Sequence, residues 1–274
     1  MKAAHFNAPA DGPRVARAAS ANPVLRLVNV EKYFGNKSNV CCALDGVSFD
    51  VDAGEFVAIM GPSGSGKTTL LNCISTIDRP SAGSIYVNGI DVTALRSRDL
   101  TRFRRDELGF IFQDSNLLDT LTARENIALA LTIAGVPVAD VAAKVEKVAQ
   151  TLDIQDALDK MPCELSGGQR QRTAAARAIV CDPSLVLADE PTGALDSRNS
   201  RRMLESLGAL NRDGATIIMV THDSFAASFA TRVIFIKDGR LWSELFRGQK
   251  TRAAFFDEIM DTVSFLGGEV GDAR

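Results

Sequence analysis

Lys67 and Thr68 close the run Gly61-Pro62-Ser63-Gly64-Ser65-Gly66-Lys67-Thr68-Thr69, whose spacing fits the polyphosphate-binding pattern G-x-x-x-x-G-K-[ST]. The glycines let successive backbone N–H groups curl into one concavity, an anion nest. Lys67 supplies a mobile positive charge for β- and γ-phosphates, and the Thr68 hydroxyl can ligate Mg²⁺. Further along, Asp189 and Glu190 are adjacent carboxylates. Such a pair repels unless a cation or a catalytic task uses it. Asp189 is the expected Mg²⁺ partner, through water, and Glu190 the residue that polarises an attacking water. His222 follows a later apolar run, from which it can reach a γ-phosphate as a hydrogen-bond donor. Ser166-Gly167-Gly168-Gln169 opens another helix, with Ser166 as its N-cap, and makes a second N-terminus suited to phosphate. The chemistry these residues share is binding and hydrolysis of a nucleoside triphosphate.

Elements of definite type must position them. Phe56-Val57-Ala58-Ile59-Met60 is an apolar strand before the loop, and Leu70-Leu71-Asn72-Cys73-Ile74 a helical pattern after it. Leu108 to Phe112, Leu185 to Ala188 and Thr216 to Thr221 read as buried strands ending at Gln113, Asp189-Glu190 and His222. The carboxyl ends of parallel strands face the ligand crevice, so Gln113 is either a surface amide or part of the site. Shorter strands at 24–28 and 47–51, and a hairpin around Asn88-Gly89, predict a small antiparallel sheet beside this core. Tyr33, just past the first of these, is either core or a stacking surface for a nucleotide base. Thr122-Ala123-Arg124-Glu125 is a capping box. From there to residue 181 the pattern is helical, with breaks at Gly135-Val136-Pro137 and Met161-Pro162, which predicts a separate lobe inserted between strands. Leu100 to Arg105 reads as a solvated basic helix, Asp196 as the cap of a helix carrying Met203, Leu204, Leu207 and Leu210, and Asp238-Gly239 as a closing hairpin.

The chain has 274 residues, of which 46% are hydrophobic, enough for a full core in one domain or two lobes. A net charge of -3 provides no basic footprint for nucleic acid, so none is expected as a partner. Five cysteines without a C-x-x-C pair fit a reducing cytosol and no zinc site. No apolar run approaches the roughly 20 residues needed to span a bilayer, so a membrane role has to be borrowed from another chain. Residues 1–22 lack periodicity and an apolar signal region and read as a disordered tail.

Taken in order, Lys67, Gln113, Leu165 to Gln169, Asp189-Glu190, Asp196 and His222 resemble the full motif set of an ATP-binding cassette (ABC) ATPase, over roughly residues 24–247. The resemblance implies an α/β fold: a phosphate-loop NTPase core with a mainly parallel sheet, a small antiparallel β-subdomain and an inserted α-helical lobe. It implies ATP and Mg²⁺ as ligands, and a domain over 23–247 with its lobe at about 114–181 and a helical extension over 248–274. It gives Tyr33 the adenine and places Gln113 in the Mg²⁺ shell and in contact with a membrane partner. Asp196 falls at a dimer seam. Two copies are expected head to tail, Ser166-Gly167-Gly168 of one covering ATP held by Lys67 of the other.

Within the family, Ser75 to Pro80, Gly109 to Asp114, Asn116 to Thr122, Thr192 to Ser197 and the tail at Phe255-Phe256 and Leu266-Gly267-Gly268 resemble ATPases of bacitracin-type antimicrobial-peptide transporters. Cys41-Cys42, Ser115 and Thr173 depart from that pattern. The likeness implies a subunit on the inner face of the membrane, bound to a permease. The stretch Asp114 to Asn126 is the expected contact, with Leu117 and Leu118 either core or part of a groove for a permease helix. Macrolide-exporter and lipoprotein-releasing ATPases share much of the pattern. Soluble ABC ATPases of DNA repair or translation fit less well, since this chain has one copy of each motif and only a compact insertion.

Overall fold

The computed structural model describes residues 22–36 and 39–268; the tail expected over 1–22 therefore lies outside the described residues, save Asn22. Alternation of side chains fixes the architecture. In β3 (Phe56–Met60), Phe56, Ala58 and Met60 face one buried cluster while Val57 and Ile59 face another. The same division runs through β7 (Leu185–Asp189), β8 (Ile217–Val220) and β9 (Arg232–Lys237). Strands buried on both faces belong to a parallel sheet covered on both sides, and each fully buried Leu, Ile or Phe contributes about 1.5–3 kcal/mol.

That sheet has six strands in the order β10-β9-β3-β8-β7-β6, with β6 spanning Leu108–Ile111 and β10 Arg240–Phe246. All its neighbours are parallel except β9 and β10, which are joined through Asp238 and Gly239, both left-handed at φ 49° and 76°. A four-stranded antiparallel sheet, β2-β1-β4-β5, stands beside it, built from β1 (Leu25–Asn36), β2 (Asn39–Val51), β4 (Ala82–Val87) and β5 (Ile90–Asp91). Asn88 and Gly89 turn β4 into β5 with the same left-handed pair.

Helix α1 (Lys67–Ile74) packs Leu70, Leu71, Cys73 and Ile74 between the two sheets. The basic helix α2 (Ser97–Glu107) is solvated apart from Leu100 and Phe103. Between β6 and β7 lie α3 (Ala123–Ile133), α4 (Val138–Thr151) and α5 (Gly167–Ile179). The capping box forms as expected: the Thr122 Oγ1 accepts from Glu125 N, and Glu125 Oε2 accepts from Thr122 N at 2.8 Å. The break before α5 is longer than its Met161-Pro162 signal, running from 152 to 166 with two single 3₁₀ turns. Although inserted in sequence, the lobe is not separate in packing. Ile127, Leu131, Val145 and Leu152 share one continuous cluster with Phe56, Ala58 and Met60. Helix α6 (Ser197–Arg212) covers this cluster with Met203, Leu204, Leu207 and Leu210, and α8 (Arg252–Gly268) with Phe255, Ile259 and Leu266. Of the two leucines after Gln113, Leu118 is exposed, whereas Leu117 packs on the core.

Candidate functional site

Strand register brings the sequence-distant groups to one edge. Ile59 lies opposite Val220, Val220 opposite Asp189, and Ile111 opposite Ala188. The loop from Gly61, the residues Thr221-His222, Glu190 and Gln113 therefore leave adjacent strands at the same level, at their carboxyl ends. A cleft of 350 Å³ there is lined by Ser63, Gly64, Gly66, Lys67, Thr68, Thr69, Glu190 and His222, together with Ala43 of β2. Ala43 carries no sequence signal for such a place. It is brought there because Gly66, at φ 102°, packs so tightly on β2 that a Cβ would meet the Ala43 carbonyl at 2.4 Å. Gly61 is constrained in the same way, by the Ile236 carbonyl at 2.1 Å.

The helix end behind the loop is left uncapped. The N-cap of α1 is Gly66, with no side-chain cap, so the first N–H groups of the helix point outward with the positive end of its dipole. Lys67 Nζ donates to the carbonyls of Gly61 and Pro62, both at 2.9 Å. Ser65 Oγ, buried under the loop, has no hydrogen-bond partner among the described residues.

Opposite the loop, Glu190 has a left-handed backbone, φ 45°, a conformation that costs a non-glycine residue about 1–3 kcal/mol. Its N–H is held by the Val220 carbonyl, and its own carbonyl accepts from Gly193 N. The side chain is thereby turned toward Thr221 Oγ1, at 3.4 Å, and His222 Nδ1, at 2.8 Å. Since a carboxylate only accepts, Nδ1 carries the proton in this contact. For Nε2 to donate to a phosphate as well, the imidazole must hold both protons or turn away from Glu190. The expected donor role of His222 thus carries a condition that the sequence did not show.

Charge and burial oppose one another here. Burial pulls the Lys67 ammonium below its ordinary pKa, partly offset by Glu190 and Asp189. Burial and then Glu190 push the Asp189 carboxyl up, against the pull of Lys67. A cation beside Asp189 would counter the rise of its carboxyl. The donor set fits Mg²⁺: a Thr68 hydroxyl, the Asp189 carboxylate and the Gln113 amide are hard oxygen ligands. The Gln113 side chain rests within 3.2 Å of where a Cβ on Gly193 would stand, beside the Glu190 turn. No cluster of three His, Cys, Asp or Glu occurs among the described residues; Mg²⁺ is usually held by few protein oxygens, with waters and substrate phosphates beside them.

The remaining expected residues lie outside the cleft. Ser166, Gly167, Gly168 and Gln169 begin α5 against α6: a Cβ on Gly167 would meet Leu195 at 3.8 Å, and one on Gly168 would meet Asn199 Oδ1 at 2.3 Å. Asp196 caps α6 by accepting from Asn199 N at 2.8 Å. The wider cleft beside it, 820 Å³, is lined by Glu190, Thr192, Leu195, Arg198, Arg201 and Phe225 among others. Tyr33 is half-exposed on β1, opposite Cys42, its hydroxyl donating to Glu31 at 2.8 Å.

The sequence pattern of the ABC transporter family matches residues 44–193. The chain belongs to that family. It is an ATP-binding, ATP-hydrolysing subunit of an ABC transporter. It is 50% identical over 250 residues to the bacitracin export ATP-binding protein BceA of Halalkalibacterium halodurans, covering 91% of this chain and 99% of that one. With the uncharacterized ABC transporter ATP-binding protein YvcR of Bacillus subtilis it shares 51% identity over 249 residues, 90% of this chain and 96% of that one. Among solved structures it resembles the ATP-binding cassette MJ0796 in a dimeric post-hydrolysis state bound to ADP and Pi. There the TM-score is 0.74 and the identity 39%, over 81% of this chain and 98% of that one. As an ABC ATPase it has the expected α/β fold, with its parallel core and antiparallel side sheet.

Proposed function

We propose that this ABC ATPase binds MgATP on the Lys67 loop, hydrolyses it with Glu190 and His222, and powers a membrane permease that handles cell-wall-active antimicrobial peptides. The observation that carries the chemistry is the single cleft in which Lys67 and Thr68 face Glu190 and His222. Thr68, Asp189 and Gln113 would hold Mg²⁺, which neutralises charge developing on the phosphates. Lys67 exchanges its two carbonyl contacts for β- and γ-oxygens. Glu190, aimed by its left-handed backbone and by His222, polarises water against the γ-phosphorus. Tyr33 stands on the ladder one residue from Ala43, where a base leaving the cleft along β2 would stack.

Neither Ser166 nor Gly168 lines this cleft, so their role requires a second copy. In a head-to-tail pair, Ser166 to Gln169 of one copy cover the phosphates of the other, with Asp196 at the seam. The known dimeric cassette bound to ADP and Pi supports this assembly. No helix among the described residues is long and apolar enough to cross a membrane. The permease therefore supplies the membrane, and exposed Leu118 within the polar stretch from Asp114 offers it an anchor. The likeness to BceA over nearly the full length of both chains supports peptide handling.

Glu190→Gln keeps shape and hydrogen-bonding reach but removes the basic charge. It is expected to lower turnover by about 10²–10⁴ while ATP affinity, measured by nucleotide titration, is kept. Turnover within twofold of the parent would remove Glu190 as the principal catalytic carboxylate. In cells, loss of this chain should sensitise the host to bacitracin-like peptides or lantibiotics, and Lys67→Ala should fail to restore resistance. Unchanged peptide sensitivity with lost macrolide efflux or lipoprotein release would refute the peptide assignment.

A further inference from the structure

The segment carrying Gln113 is held almost entirely by one helix. Among the described residues, the main chain of 112–117 receives three hydrogen bonds, all from side chains of α5. Gln171 Nε2 donates to the Phe112 carbonyl at 2.7 Å, Arg177 Nη1 to the Asn116 carbonyl at 2.7 Å, and Arg177 Nη2 to the Ser115 carbonyl at 3.1 Å. Gln171 is buried at 3% exposure. Arg177 is half-buried and has no carboxylate partner among the described residues; burial lowers its pKa. Its position in the last turn of α5 offsets part of that burial through the helix dipole, yet a leucine would fill the same space without an ionic group. What the guanidinium supplies is a rigid planar fork that gives each of two successive carbonyls its own nitrogen. Asn116 sits at φ 46°, and its carbonyl and that of Ser115 accept from the two terminal nitrogens of the one guanidinium. The grip extends to the strand: Gly109 of β6 approaches α5 so closely that a Cβ would meet the Ala178 carbonyl at 2.3 Å. Strand, loop and helix are thus fastened at Gly109, Phe112 and Ser115-Asn116.

We propose that Arg177, with Gln171, is the positioning residue of the Gln113 loop, and that it locks this loop to the helix whose other end presents Ser166. The inference rests on the proposed site and deepens it. Gln113 then reads the nucleotide of its own subunit, while α5, moving with it, carries Ser166 toward the nucleotide of the partner copy. A change at one phosphate site is passed to the other through two side chains rather than through the lobe as a whole.

The test is a double-mutant cycle on the full-length chain with ATP and Mg²⁺, comparing Arg177→Met, Arg177→Lys and Gln113→Ala with the double variant Arg177→Met/Gln113→Ala. Releasing the loop is expected to lower kcat by about 10- to 100-fold with KM within twofold, and to flatten the dependence of rate on ATP concentration to a Hill coefficient near one. Amide exchange across 113–117 should quicken. Arg177→Lys, which keeps the charge but not the rigid fork, should recover part of kcat. Adding Gln113→Ala to Arg177→Met should cost little more than either alone. Should Arg177→Met fail to fold, Gln171→Met and Arg177→Lys make the same comparison. A folded variant with only a lowered Tm, parental kcat and parental cooperativity would overturn the proposal. Full activity in Gln113→Ala alone would instead show that the reading of Gln113 had failed, with the clamp's exchange signature still measurable.

Discussion

The two helix N-termini that combine glycine with a hydroxyl side chain are finished in opposite ways. Helix α1 starts on Gly66, left-handed at φ 102° and without a side-chain cap. Helix α5 starts on Ser166, extended, in a complete capping box in which Ser166 accepts from Gln169 N and Gln169 Oε1 accepts from Ser166 N. Both have a basic residue drawn back onto the preceding loop: Lys67 to Gly61 and Pro62, Arg170 to Leu165 and Pro162. Only α1 faces carboxylates across a cleft. An uncapped end holds its N–H groups for a ligand, whereas a capped end has already used some of them. The first is built to bind a polyphosphate by itself, and the second to add a few donors to one already bound elsewhere.

The largest effect should come from the uncapped end. Lys67→Ala removes its only mobile charge and is expected to reduce turnover by about 10²–10³, read as ATPase activity, with unchanged Tm in the absence of nucleotide. If Lys67→Ala retained parental activity, the contrast between the two ends would collapse.

A smaller effect tests the carboxylates that α5 lacks. The Asp189 carboxyl is raised by burial and by Glu190, so its ionised form is less favourable folded than unfolded. The stability it takes away is absent below the ordinary carboxylate pKa, grows as pH rises from there to the raised, folded value, and is complete above it. Asp189→Asn should therefore raise the Tm of the nucleotide-free protein at neutral pH. That gain should shrink as pH falls and the parent carboxylate protonates. A gain independent of pH would show that charge burial is not its source.

The smallest effect concerns the body of α5. Thr173 is fully buried and its Oγ1 has no partner among the described residues. Removing that unsatisfied hydroxyl by Thr173→Val should stabilise the protein by about 1 kcal/mol in denaturant melts, with activity unchanged. Lower turnover would mean that chemistry depends on more of α5 than its first turn and its Gln171 and Arg177 contacts.

How far the sequence revealed this depended on whether a signal was local. The phosphate loop, the capping box at Thr122, the N-cap at Ser166, and the two hairpins at Asn88-Gly89 and Asp238-Gly239 were legible because each is a backbone demand met by neighbouring residues. The ends of the buried strands were legible as well, and their register in a parallel sheet aligned Gln113, Glu190 and His222. Contacts set by packing were not legible. Nothing local marks Ala43 as a wall of the cleft, or ties Gln171 and Arg177 to carbonyls far away in sequence. The Glu190–His222 contact, which restricts how the imidazole can donate, depends on a left-handed turn at a residue that does not favour one. The lobe also looked separate because helical periodicity reports the buried face of each helix and not what lies against it. Gly168 shows a similar limit. Replacing it with Asp would press a Cβ onto Asn199, so that change would disturb α6 before it met any phosphate.

The most direct test of the shared site therefore uses Ser166→Asp. Asp caps a helix as well as Ser does and suits the dipole at that end, so the subunit alone should fold with parental Tm. Against the phosphates of a partner, however, its charge repels. Ser166→Asp and Lys67→Ala should each be inactive alone. Mixed, they should regain ATP hydrolysis, because every mixed dimer then has one site with an intact Lys67 loop covered by an intact Ser166. Recovery on mixing, lost again when Glu190→Gln is added to the Ser166→Asp chain, is the predicted result. A Ser166→Asp protein that hydrolyses ATP at the parental rate, or a folded mixture that stays inactive, would contradict it.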